Sequence, residues 1–106
     1  VGIYNELDLS IQEYVKHLAD DYAKNGHNSK DFYYEIGRKY VHVIMQDTYK
    51  NSFMQRSSHS WIMMNDDKKF KQGDILKSAS WNAPARNFKR GNVLTGDYKQ
   101  IRWCGV

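Results

Sequence analysis

Residues 73–94 read Gly-Asp-Ile-Leu-Lys-Ser-Ala-Ser-Trp-Asn-Ala-Pro-Ala-Arg-Asn-Phe-Lys-Arg-Gly-Asn-Val-Leu, and the punctuation of this stretch decides what fold the chain can adopt. A Gly73-Asp74 turn feeds a short apolar run through Ile75, Leu76, Ala79 and Trp81. The run is stopped at Ala83-Pro84 by the only proline in the sequence. Proline has no amide to donate and drives the preceding residue out of helical backbone, so the run reads as a strand ending near Asn82, with a loop beyond it. That loop is cationic: Arg86, Lys89 and Arg90 surround Phe88 before Gly91-Asn92 makes the next bend. A strand end, a fixed bend and positive charge beside flat side chains make a candidate anion site, although an ordinary solvated loop has the same composition.

Working outward, the alternating period continues on both sides. From Arg38, Tyr40, His42 and Ile44 point one way and Val41, Val43 and Met45 the other, giving a first strand. A second is expected over Arg56 to Met64, with Trp61, Met63 and His59 opposite Ser60, Ile62 and Met64. Asp47 to Gln55 is a polar link, either a wide hairpin loop or continued strand. Asn65-Asp66-Asp67 opens an exposed hairpin tip that runs to Lys71. After Thr95-Gly96-Asp97, Tyr98 to Trp103 alternates again and reads as a fourth strand.

The N-terminal third has helical period instead. Leu7, Ile11, Tyr14, Val15, Leu18 and Tyr22 fall on one helix face, with a Ser10/Glu13 capping box or an earlier start at Asn5 or Asp8, and an end at Asn25-Gly26. Asp20 and Asp21 oppose the helix dipole, a misfit that points to a contact with the basic half. A second helix is expected over Ser29 to Ile36, closed by Gly37, with Phe32, Tyr33 and Ile36 as its packing face. Together these readings give a single α+β domain over 1–106. Two N-terminal helices, 1–37, pack on a three- to four-stranded antiparallel meander, 38–106.

Composition supports one folded core. The chain has 106 residues, 41% apolar and 14% aromatic, enough to offset the conformational entropy of one modest domain. Cys104 is the only cysteine, so no internal disulfide forms, which fits a reducing, cytoplasmic setting. No apolar run reaches the ~20 residues that span a bilayer, and no charged-then-apolar leader opens the sequence, so no membrane partner is expected. Charge is polarised: residues 1–37 carry three basic and seven acidic side chains, net −4, and residues 38–106 thirteen and five, net +8. A basic half favours polyanionic partners, and equally allows the two halves to complement each other within the molecule.

The pattern Gly-Asp-x-x-Lys-x-Ala-Ser-Trp-x-Ala-Pro-Ala-Arg from Gly73, followed by Arg-Gly-Asn-Val at 90–93 and preceded by Gly-Arg-Lys-Tyr-Val at 37–41, resembles a family of small uncharacterised proteins of tailed bacteriophages, including marine ones. The likeness covers residues 37–94. It implies a viral origin and a shared sheet, inside an infected host cell, and brings no activity, cofactor or site with it. Arg86 stands where many relatives carry lysine, which keeps the charge.

No catalytic signature accompanies these features. His17, His27, His42 and His59 lack zinc-ligand spacing, and the serines around His59 lack a nucleophile elbow. His42 and His59 are placed to face each other across adjacent strands with Asp47 near them, an arrangement more typical of a polar contact than of a metal or acid–base site. Phosphate-binding glycine loops are missing as well. The expectation is a non-catalytic protein without cofactor or metal. It would bind nucleic acid or a nucleotide through Arg86, Lys89, Arg90, Phe88 and Trp81, with Arg38 and Lys39 as a second cationic set. The alternative is a module that docks on a host or viral protein, through its own homodimer or directly, without affinity for nucleic acid.

Overall fold

The computed structural model describes residues 5–26, 29–47 and 56–106. Helix α1 spans Asn5–Lys24 and buries the side chains that recur at three- and four-residue steps, Leu7, Ile11, Tyr14, Val15, Leu18 and Tyr22. Gly26, at φ 84°, reverses the chain after it, a conformation open to glycine without steric cost. The Asp21 misfit is resolved as the charge pattern implies. Its carboxylate accepts from the Arg102 guanidinium at 2.9 Å and from the Trp103 amide at 3.1 Å, and these donors hold its pKa below the usual carboxylate range.

The expected second helix is a strand. Lys30–Ile36 forms β1, because seven residues are too few to repay helix nucleation while the Phe-Tyr-Tyr-Ile run suits a pleated surface. Phe32 and Tyr34 pack toward the α1 core, and Tyr33 and Glu35 meet Arg56 on the other side of the sheet. Strands β2 (Tyr40–Asp47), β3 (Arg56–Met63) and β4 (Asp74–Ser80) follow in an antiparallel meander. The free edge of β4 is shared by two short strands: β5 (Ala83–Pro84) lies beside Ser78 and Ser80, and β6 (Gly91–Asn92) beside Asp74 and Ile75. The α+β class holds, with, among the described residues, one helix in place of two and six strands in place of three or four.

The fourth strand anticipated at Tyr98–Trp103 does not form, because β5 and β6 already occupy the edge it would need. These residues lie in turns, with single bridges at Asn92–Asp97 and Arg102–Gly105. They cap α1 instead: Ile101 is buried, and His17 donates its Nε2 proton to the Ile101 carbonyl at 2.9 Å. Of the polar link at Asp47 to Gln55, all but Asp47 lies outside the described residues.

A bulge in β3 corrects the facing of the histidines. Val43 pairs with Ser60 and Ile44 with Ser58, leaving His59 as the extra residue. His59 and Ser60 therefore both point toward α1, while His42 lies on the opposite face. Asp47 joins neither histidine and pairs with Lys30 at 2.6 Å. Inside the core the proton positions follow from chemistry. The Arg102 carbonyl can only accept, so His59 Nε2 donates to it at 2.9 Å; neutral Nδ1 then accepts from Ser60 Oγ at 2.9 Å, and Ser60 accepts from Tyr14 at 2.8 Å. Burial lowers the His59 pKa and raises that of Tyr14, so both rings stay neutral.

The quoted segment closes on itself at the other end of β4. Asn92 donates to Asp74 at 2.8 Å and to the Gln72 carbonyl at 3.1 Å, while its own side-chain oxygen accepts from the amides of Leu94 (2.7 Å) and Thr95 (3.2 Å). Gly73 sits at φ 86°, and a β-carbon there would lie 2.9 Å from the Asn92 side chain. At Gly91 a β-carbon would run into the Asp97 carbonyl.

Two outcomes follow for stability. Gly91→Ala should lose about 1–3 kcal/mol in urea denaturation, whereas Gly105→Ala, whose β-carbon meets nothing within 4 Å, should stay near wild type. The His59 pKa is lowered on folding from its ordinary 6.5, so the unfolded chain binds more protons below that value. Stability should be full above pH 6.5 and fall as pH drops from there to 5, with a flatter dependence in His59→Gln; a wild-type profile level over that window would contradict the neutral assignment.

Candidate nucleic-acid interface

Because α1 covers one face of the sheet, the residues alternating to the other face form a second surface. Across it runs a continuous stripe of rings and cations. Beginning at β1, the Arg56 guanidinium lies 5.7 Å from the centre of the Tyr33 ring and 4.9 Å from that of Trp81, and is held by Glu35 at 2.9 Å. Trp81 meets His42 edge-on at 4.7 Å, and His42 stacks flat on Trp61 at 3.8 Å. Trp61 meets Tyr40 at 5.8 Å. The Tyr40 hydroxyl accepts from Arg86 at 2.8 Å, and Arg86 also lies over Phe70 at 4.9 Å. Lys39 over Tyr40 and Lys69 over Phe70, both at 5.6 Å, complete the stripe at the turn end of the sheet. Cations over ring faces are attracted by the ring quadrupole, which orders both partners.

Polar atoms between the rings satisfy one another. His42 Nε2 and Ser58 Oγ are 2.6 Å apart, Ser58 and Ser78 Oγ are also 2.6 Å apart, and Trp61 Nε1 donates to Ser78 at 3.2 Å. Burial lowers the His42 pKa, so this ring is neutral near pH 7. Among the described residues, no group of three or more His, Cys, Asp and Glu side chains converges as a metal site would.

The seven residues singled out from sequence fall into distinct settings. Arg86 is pinned: Asp67 accepts from it at 2.6 Å, and its guanidinium spans Tyr40 and Phe70. The Phe70 amide, then the Lys69 amide and Arg86, hold the Asp67 carboxyl far below the usual range, and Asp67 in turn raises the Arg86 pKa. Lys89 approaches the buried Asp74 carboxylate at 3.8 Å. Arg90 lies over the Phe88 ring at 4.1 Å, with Phe88 54% exposed. Trp81 is 40% exposed and belongs with Arg56 and His42. Arg38 and Lys39 lie in the β1–β2 turn, whose Lys39 carbonyl accepts from the Met64 amide at 3.0 Å. That bond places the turn beside the 64–73 connection, which carries Lys68, Lys69 and Lys71.

The structure thus brings Arg38, Lys39 and Tyr40, one set in the sequence, to the same end of the sheet as Arg86, and adds Tyr33, Arg56, His42, Lys69 and Phe70, which the sequence did not single out for this surface. Tyr40 and His42 were legible as one strand face. Arg56 was not, because strict alternation without the bulge assigns it to the helix side.

The chain belongs to a family of unknown function, DUF7717, whose model matches residues 3–105. The match takes in the N-terminal helix as well as the segment-bearing half. No curated protein and no solved structure matches the chain.

Removing the clasp should be visible locally. In Arg86→Gln the Asp67 carboxyl should titrate at higher pH than in wild type while remaining below its ordinary 3.8, since the Lys69 and Phe70 amides still donate to it. Carboxyl carbon shifts followed by NMR read this directly, and an unmoved titration would show that Arg86 does not engage Asp67 in solution.

Proposed function

We propose that this protein is a small non-catalytic accessory protein that binds nucleic acid through the basic turn end of its sheet. The observation that carries this reading is the meeting of two turns. Arg38 and Lys39 on one and Lys68, Lys69 and Lys71 on the other are all exposed, and none of them takes part in the ion pairs formed between described residues. The acidic side chains beside them are engaged: Asp67 holds Arg86, and Asp66 accepts from the Gln72 amide at 2.7 Å. Five cations in one neighbourhood, outside any ion pair between described residues, favour a chain of phosphates, whose condensed counterions are released on contact. The adjoining rings of Tyr40 and Phe70 keep two of these lysines extended over the outer face rather than free to turn away.

The likeness of residues 37–41 and 73–93 to small tailed-bacteriophage proteins supports a viral accessory role, exercised in the cytoplasm of an infected cell.

Fluorescence anisotropy with a labelled oligonucleotide tests the reading. Affinity should fall steeply between 50 and 200 mM salt, with a log–log slope of about −3 to −5 for four to six phosphate contacts. A Lys39→Glu/Lys69→Glu variant should bind at least about tenfold more weakly, with a slope shallower by about 1 per lysine. Salt-independent binding, or a variant equal to wild type, would contradict it. Failure to bind any oligonucleotide would transfer the basic end to an acidic protein partner.

A further inference from the structure

We infer that the nucleic acid taken by this surface is single-stranded, and that one of its bases stacks on Trp81 while its phosphates run toward the Lys39 and Lys69 end. The inference rests on the nucleic-acid reading above and adds the class of ligand and a specific contact.

Trp81 occupies the turn between β4 and β5, where the backbone asks only for a residue able to bend. Ser80 meets that demand, its hydroxyl accepting from the Asn82 amide at 3.2 Å. An indole is therefore not required by the turn, yet 40% of Trp81 stays exposed. Its position is also fixed from behind. Arg56 lies 4.9 Å from the ring centre, anchored by Glu35 and Tyr33, and His42 supports the ring at 4.7 Å while stacked on Trp61. A flat ring held in place loses little freedom when a base is laid on it. Phe88 with Arg90 repeats the same chemistry on the loop that follows, an exposed ring with a guanidinium 4.1 Å from its centre.

Geometry then selects the strand. In a duplex each base face is covered by its neighbours, so a duplex offers this surface only phosphates. A single strand offers both phosphates and open base faces, and the stripe from Lys69 to Trp81 carries a partner for each.

The test compares a fluorescein-labelled single strand of about 12 nucleotides, within the site size of such surfaces, with the same strand annealed to its complement. Wild type, Trp81→Ala, Trp81→Phe and Lys39→Glu/Lys69→Glu are titrated with each, after circular dichroism has established that every variant melts near wild type. The single strand should bind at least about tenfold more tightly than the duplex. Trp81→Ala should weaken single-strand binding roughly 5- to 100-fold, the loss of one stacked base, and leave duplex binding unchanged, while Trp81→Phe retains most of the affinity. Tryptophan fluorescence should be quenched by the single strand in wild type and much less in Trp81→Ala. Equal affinity for strand and duplex, or a Trp81→Ala variant equal to wild type, overturns the inference; the broader reading survives in that case if the lysine variant still loses both ligands. Absence of binding to either oligonucleotide overturns both.

Discussion

The hydrogen-bond chain from Tyr14 through Ser60 and His59 to the Arg102 carbonyl joins helix, sheet and C-terminal turns, and it sits on the one irregularity in β3. With Ser60 and His59 both turned toward α1, the alternation before them is shifted by one. Ser58 and Arg56 are thereby delivered to the opposite face, where Ser58 meets His42 and Arg56 fits between Tyr33 and Trp81. Without the extra residue, a guanidinium would point into the apolar interior beneath α1, an expensive place for an unpaired charge. Core chemistry thus determines which side chains the outer surface can offer.

The two faces of the sheet are built on different principles. On the helix side, Val41, Val43, Ile62 and Ile75 pack with Leu7, Ile11 and Leu18, and burial of aliphatic surface dominates. On the outer side, Trp61, Met63, Phe70 and Leu76 form a smaller cluster, with Tyr40 packed against it and the Arg86 guanidinium lying over Phe70. A surface made this way keeps positive charge in register with flat rings. The Gly73-Asp74 and Gly91-Asn92 pairs serve it by closing the β4–β6 junction, from which the Arg86–Arg90 loop is suspended.

Much of this was legible in the sequence where local rules apply. The α1 periodicity named its buried residues, the proline marked the end of β4, and opposing charge located the contact of Asp21 with the basic half. The segment at 29–36 was misread because Phe32 and Ile36, four residues apart, share a face in either period, and eight residues are too few to separate the two. Tyr98–Trp103 alternates like a strand, but whether it becomes one depends on a free sheet edge, which is a property of the whole topology. The site was half visible for the same reason. Arg86 and Lys39 are cationic in any reading, but the company they keep, and the placement of Arg56, depend on a bulge that no local pattern announces. Arg86 itself is an anchor of the surface more than an open charge, since Asp67 already takes one side of its guanidinium.

The proposed binding makes the sheet face away from α1 the working face. Two-dimensional NMR of isotopically labelled protein, titrated with an unlabelled single-stranded oligonucleotide, reads both faces at once. Shifts should concentrate at Tyr33, Lys39, His42, Arg56, Lys69 and the Trp81 indole, with α1 signals unchanged. Shifts gathered along the exposed side of α1, at Leu9, Glu13 and Lys16, would contradict it.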